Sequence, residues 1–195
     1  ALDGKNVFLG ASPLHGKIGQ QIADPRLTMV DDPTIAFGPA TSAFDNEGTA
    51  RRVMPLIEKG VLRNFIYDLD TAGRAGVQPT GHGTARQLTN LVINPGETSF
   101  DDMIKGIEKG LLVHEFLGLG QGNPINGEFS LNLFLGYKIE KGKLAGRVKN
   151  VMLSGNAFEA LKYIEAISQE REWVSGPFEY FNGLIPYIQV SKLSV

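Results

Sequence analysis

The chain of 195 residues contains no cysteine. That excludes disulfide frameworks, zinc ribbons, iron–sulfur clusters and thiol catalysis. It has no excess charge of either sign, with 19 basic against 21 acidic residues and a formal net charge of -2. A nucleic-acid binder shows a basic excess or stripe, but here Lys and Arg are scattered and the densest pair is Arg51-Arg52. No apolar run approaches the length of a membrane span, and the opening Ala-Leu-Asp-Gly-Lys-Asn is not a signal peptide. The expectation is a protein of the cytoplasm, without nucleic-acid or membrane partners. The first residue is Ala1 rather than Met, so the chain reads as part of a longer protein.

What the chain has is apolar content, 42%, enough for a core, and glycine, 24 residues, which implies many turns. Leu14, Ile18 and Ile22 recur every four residues and predict a helix over Pro13 to Ala23, stopped by Asp24-Pro25. Leu27 to Val30 reads as a strand. A long Gly/Pro/Ala-rich loop follows from Pro33 to Gly48, which suggests a binding excursion. Two apolar runs, Val53–Ile57 and Val61–Tyr67, flank Glu58-Lys59-Gly60 and predict a hairpin. A second hairpin joins Phe129–Ile139 to Lys143–Val148 through Glu140-Lys141-Gly142, with Leu131, Leu133, Leu135 and Tyr137 on one face.

Ile-Glu-Lys-Gly recurs at Ile107–Gly110. There it closes a predicted helix that Ser99 caps, with Gly110 as the terminating residue. Leu111–Leu117 follows as a strand. The longest predicted helix is Gly155–Ile167, capped by Asn156, and Gly183–Val190 is a closing strand that Pro186 confines to an edge or a bulge. The sum, eight to ten strands and three helices, is an α+β fold: mainly antiparallel sheet, or a barrel-like domain, with about three helices packed on it.

Chemistry-bearing clusters are sparse. His114-Glu115 lacks the second histidine one turn on that a zinc-peptidase helix needs, since Gly118 and Leu119 stand there. His15, His82 and His114 fall in three different elements, so only the tertiary fold could assemble them into a metal site. Asp31-Asp32 and Asp101-Asp102 are neighbours that point apart. Asp32 belongs to an Asp-Pro turn, and Asp101 and Asp102 to the first turn of a helix. Gly81-His82-Gly83 and Gly118–Gly122 match no phosphate loop and read as open loop backbone, or as a surface where another chain can lie close. Trp173, Phe178, Tyr180 and Phe181 read as core, with a binding surface as the alternative.

Six segments in order resemble the C-terminal domain of the TldD/PmbA family, whose members were once named modulators of DNA gyrase. They are Val30–Pro33, Ala43–Gly48, Pro55–Leu62, Pro79–Gly83, Asn126–Ser130 and Leu153–Asn156, and the match spans essentially all of residues 1–195 as one domain. The resemblance implies a cytoplasmic protease of paired TldD-type and PmbA-type (TldE) subunits that acts on unfolded peptides. The family's zinc motif, His-Glu-x-x-x-His, lies upstream of the matched region, and a C-terminal cysteine completes its metal site. This chain has neither, and its Pro79–Gly83 and Leu184–Pro186 wording resembles the PmbA side.

The resemblance therefore implies a subunit that serves in assembly and peptide binding, with no catalytic or metal-binding residue and no cofactor of its own. Zinc is expected only in a TldD-type partner, in a homo- or heterodimer. Thr80, Gly81, His82, Gly83, Asn126, Gly127, Glu128, Phe129 and Ser130 are the candidates for the peptide channel or the subunit interface. Two alternatives stand beside this reading. One is a peptide-binding or dimerisation module without an enzymatic role, and the other is a stand-alone hydrolase that uses His82 or His114.

Overall fold

Short apolar runs bounded by turn residues become strands where they find partners. The computed structural model describes residues 1–117, 122–123, 125–175 and 182–194. Among these the chain forms two open sheets and four short helices. The first sheet has the order β10 (Ile164–Ser175), β11 (Asn182–Val190), β4 (Asn90–Ile93), β1 (Met29–Asp31), β2 (Met54–Glu58), β3 (Val61–Leu62). All its pairs are antiparallel except β11 with β4.

The second sheet is built around the long β7 (Glu128–Glu140). β5 (Lys109–Leu117) and β6 (Gly122–Asn123) pair along one side, and β8 (Lys143–Arg147) and β9 (Met152–Asn156) along the other. The helices are α1 (Gly4–Phe8), α2 (Leu69–Ala75), α3 (Phe100–Lys105) and α4 (Ala157–Ala160). The expected α+β class, dominated by antiparallel sheet, is what forms. The described strands make open sheets and not a closed barrel.

The main core packs Val7, Leu27, Ile57, Leu62, Phe65, Ile93, Ile164 and Ile167 under the first sheet. Both expected hairpins form, the first with a second strand only two residues long. Their tips share one solution. Lys59 and Lys141 have φ 48, and Gly60 and Gly142 have φ 76 and 71, the paired left-handed residues of a type I′ turn. The third Glu-Lys-Gly does not end a helix. α3 stops at Gly106, and Lys109-Gly110 opens β5, paired with Glu140 and Ile139 of the second copy.

Two helix expectations fail. Over Pro13–Ala23 the chain makes successive tight turns, because Gly16 and Gly19 adopt φ 70 and 80, which no right-handed helix contains. Leu14 and Ile22 are still buried, while Ile18 is half exposed. Over Gly155–Ile167, Asn156 caps as expected, accepting from the N–H of Phe158 and Glu159, but α4 lasts a single turn. The rest is β10. Its register shifts between Ile164 and Ala166, so a bulge puts Ile164 and Ile167 in the same core at a spacing that imitates a helix. Helices α1 and α2 were not anticipated. Trp173 is 44% exposed on β10 rather than in the core, and Phe178, Tyr180 and Phe181 lie outside the described residues.

Gly60 combines a left-handed φ with close packing. A Cβ there would lie 2.3 Å from the Ala23 carbonyl oxygen, whereas Gly10, at φ 69, has nothing within 4 Å. Gly60→Ala is expected to lower the urea unfolding free energy by about 2–4 kcal/mol, and Gly10→Ala by about 1–2 kcal/mol.

Candidate functional site

β1 alternates like any strand, so Asp31 lies on the same face as Met29 and points into the protein. It is 1% exposed. A carboxylate buried there needs donors, and three converge on it. The Thr89 N–H reaches Oδ1 at 2.6 Å, the Thr89 hydroxyl reaches Oδ2 at 2.9 Å, and His82 Nε2 stands 3.1 Å from Oδ2. Because a carboxylate only accepts, Nε2 carries the proton. Nδ1 then faces the Thr80 hydroxyl at 2.8 Å, and the Tyr67 N–H donates to that same Thr80 oxygen at 2.7 Å. Among the described residues no buried side-chain nitrogen or oxygen is left unpartnered.

The long loop after β1 is fastened to this buried group at two places. Asn90, fully buried at the start of β4, accepts from the Ala40 N–H and donates to the Asp32 carbonyl and the Thr41 hydroxyl. Asp45 accepts from the N–H groups of Glu47, Thr49 and Gly83 at 2.8–2.9 Å. Burial pushes the Asp45 carboxyl up, but these three donors and the Arg51 charge outweigh it and hold the group below its ordinary value. Asn46 exchanges two hydrogen bonds with Thr84, and a Cβ on Gly83 would collide with its Oδ1. Glu47 accepts from the Leu69 N–H at the start of α2.

The segment that carries His82 is anchored again by Arg86, which adopts φ 49 and bridges Asp3 and Asp68. Asp68 also caps α2 through the Thr71 N–H. Burial raises the Asp68 carboxyl, but Thr71 and Arg86 lower it by more, and the net direction is down. The outward side of the fastened loop is apolar. Phe37, at φ 60, is fully exposed, and Phe44 is 62% exposed.

The residues singled out from sequence thus separate into two places. Thr80, Gly81, His82 and Gly83 are buried and hold the loop from within. Asn126, Gly127, Glu128, Phe129 and Ser130 form the turn into β7 and its first residues, beside β9 and α4. There Asn156 donates to the Asn126 carbonyl, the Ala157 N–H to the Gly127 carbonyl, and Ser130 Oγ lies 3.2 Å from Met152 Sδ. No hydrogen bond joins the two groups among the described residues.

His15 bonds the Val7 carbonyl, and His114 is exposed on β5, so His82 is the one histidine paired with a carboxylate among the described residues. Its ring is closed from solvent. Asp32 accepts from Thr34 in the expected Asp-Pro turn, and Asp102 from Ser99 and Lys105 in the first turn of α3. No three His, Asp or Glu side chains converge as a metal ion would require among the described residues. Of Gly118–Gly122, only Gly122 lies within the described residues.

Asp31, Asp45 and Asn46 stand in motifs that give them no partners, and nothing local in the sequence marks Asp3, Asp68, Arg86, Thr89 or Asn90. The contacts among them span 18 to 83 residues of chain, and local patterns carry no signal over that distance.

His82→Phe or Thr89→Val should each cost about 1.5–3 kcal/mol by urea unfolding, because each removes a donor from a buried carboxylate. Asp68→Asn should cost stability at neutral pH. With a folded-state carboxyl held below its unfolded value, that contribution is present above about pH 4 and disappears as pH falls through the folded value. The difference between wild type and variant, measured from pH 7 to pH 2, should therefore shrink toward zero.

The profile of the PmbA/TldA metallopeptidase C-terminal domain matches residues 1–195. A metalloprotease of Methanothermobacter thermautotrophicus is 33% identical over 84% of this chain and 37% of its own length. A metalloprotease TldD homolog of Haemophilus influenzae is 32% identical over 83% and 35%. Among solved structures, TldE of Thermococcus kodakarensis superposes with a TM-score of 0.87 at 28% identity, covering all of this chain and 45% of that one. The chain spans less than half the length of each of these relatives, and both TldD and TldE names occur among them. The chain belongs to the PmbA/TldD family as its metallopeptidase C-terminal domain.

Proposed function

We propose that this chain is the C-terminal domain of a PmbA/TldE-type subunit of a cytoplasmic, zinc-dependent peptidase that acts on unfolded peptides. In this reading the zinc belongs to a TldD-type partner, and this domain serves in assembly and peptide binding. The absence of cysteine, the residue that completes the family's metal site, supports the metal-free role. The resemblance of the Pro79–Gly83 and Leu184–Pro186 wording to the PmbA side supports the subunit type.

One observation carries the assembly role. The loop between β1 and β2 is tied down by Asn90, Asp45 and the buried Asp31–His82 pair, yet it turns Phe37 and Phe44 outward. A monomer gains nothing by holding two phenylalanines in water on a fastened loop, whereas a subunit interface gains their burial. The buried Thr80–Gly83 segment then acts on the interface indirectly, as the support of this loop. The Asn126–Ser130 turn, partly exposed, remains a candidate for direct peptide contact.

Mixed with a TldD-type subunit, the chain is expected to co-elute on size exclusion and to confer cleavage of an unfolded peptide. Alone it should hold no stoichiometric zinc by metal analysis. Phe37→Asp should weaken complex formation by about tenfold or more without moving the unfolding midpoint. Phe129→Ala should reduce cleavage while leaving complex formation intact. Stoichiometric zinc in the isolated chain, or unchanged assembly of Phe37→Asp, contradicts the reading.

A further inference from the structure

With no cysteine in the chain, its sulfur atoms are those of four methionines: Met29, Met54, Met103 and Met152. Three of them lie inward. Met54 and Met103 are 3% and 6% exposed, and the half-buried Met29 packs against the main core. Met152 stands apart at 52% exposure. Oxidation of a thioether follows its access to the oxidant, so burial already sorts these four.

Register then decides what surrounds the sulfur. Met152 of β9 pairs with Asn132 of β7, and Asn132 pairs on its other side with Leu117 of β5. Residues paired directly across strands share a face of the sheet. Along β7, Ser130, Asn132 and Phe134 alternate with the buried Leu131 and Leu133, so these three share the outward face with Met152 and Leu117. Leu117 and Phe134 are exposed there. On this face the Ser130 hydroxyl donates to Met152 Sδ at 3.2 Å. A thioether sulfur accepts weakly through one of its two lone pairs. The bond therefore engages one lone pair and leaves the other free on a solvent-facing side chain.

We propose that Met152 is a redox modification site, which hydrogen peroxide oxidises to the sulfoxide mainly as one epimer, with Ser130 setting which one. The free lone pair of Sδ attacks one peroxide oxygen. The S–O bond forms as the O–O bond breaks, and the departing hydroxide takes the proton of the transferred OH and leaves as water. Sulfur is oxidised, the peroxide is reduced, and no further reactant is consumed. Because Ser130 orients the thioether and occupies its second lone pair, the oxygen arrives from one side. The product sets a polar S–O group beside Leu117 and Phe134, so the outward face of the second sheet loses apolar character. Methionine sulfoxide reductases remove the oxygen, which makes the mark reversible. Met152 oxidises in this way whether or not the neighbouring Asn126–Ser130 turn contacts a peptide.

The test treats the folded chain with hydrogen peroxide and follows each methionine by peptide mass mapping. Met152 should gain one oxygen at least about tenfold faster than Met29, Met54 or Met103, and Met152→Leu should remove that fast step. On the released peptide, one of the two epimer-specific sulfoxide reductases should repair most of the product. Ser130→Ala should oxidise at Met152 yet give the two epimers in similar amounts, and Ser130→Thr, which keeps the hydroxyl, should keep the preference. The oxidised chain should elute earlier from a phenyl column than the untreated one. A second methionine oxidising as fast as Met152 overturns the proposal, as do equal epimers in the wild type. A preference that survives in Ser130→Ala or is lost in Ser130→Thr, or unchanged elution, also counts against it decisively.

Discussion

The buried carboxylate of Asp31 is the constraint on which the surrounding structure depends. A carboxyl group with 1% exposure is tolerable only if its oxygens are met by hydrogen-bond partners. Meeting them requires the chain to bring Thr89 and His82 to the end of β1. That requirement sets the path of the segment between α2 and β4, places Thr80 against the Tyr67 backbone, and fixes which nitrogen of His82 carries the proton. Gly83, next in the chain, presents its N–H to Asp45 and so decides where the long loop lies.

From this anchor the domain divides its labour. The first sheet carries the main core and the fastened loop with its outward phenylalanines. The second sheet, built on β7, supplies the Asn126–Ser130 turn.

Much of the fold was legible because local physics decides it. The two Glu-Lys-Gly hairpin tips, the Ser99 and Asn156 caps and the alternation at Leu131 and Leu133 depend only on near neighbours. The failures share a cause. Helical spacing at Leu14, Ile18 and Ile22 was spacing and nothing more, since two left-handed glycines break the backbone between them. Helical spacing at Ile164 and Ile167 came from a bulge in β10 opposite β11. Trp173 sits exposed on a strand that extends beyond the core.

The sequence by itself determined the excluded chemistries, the antiparallel α+β class, the turn types and the family, because composition, short-range steric preference and ordered motifs are properties of the chain. Only the tertiary structure decided that Asp31 and His82 are partners and that Thr80–Gly83 face inward. These depend on residues 13 to 51 positions apart meeting in space. Neither is written in any local stretch of sequence.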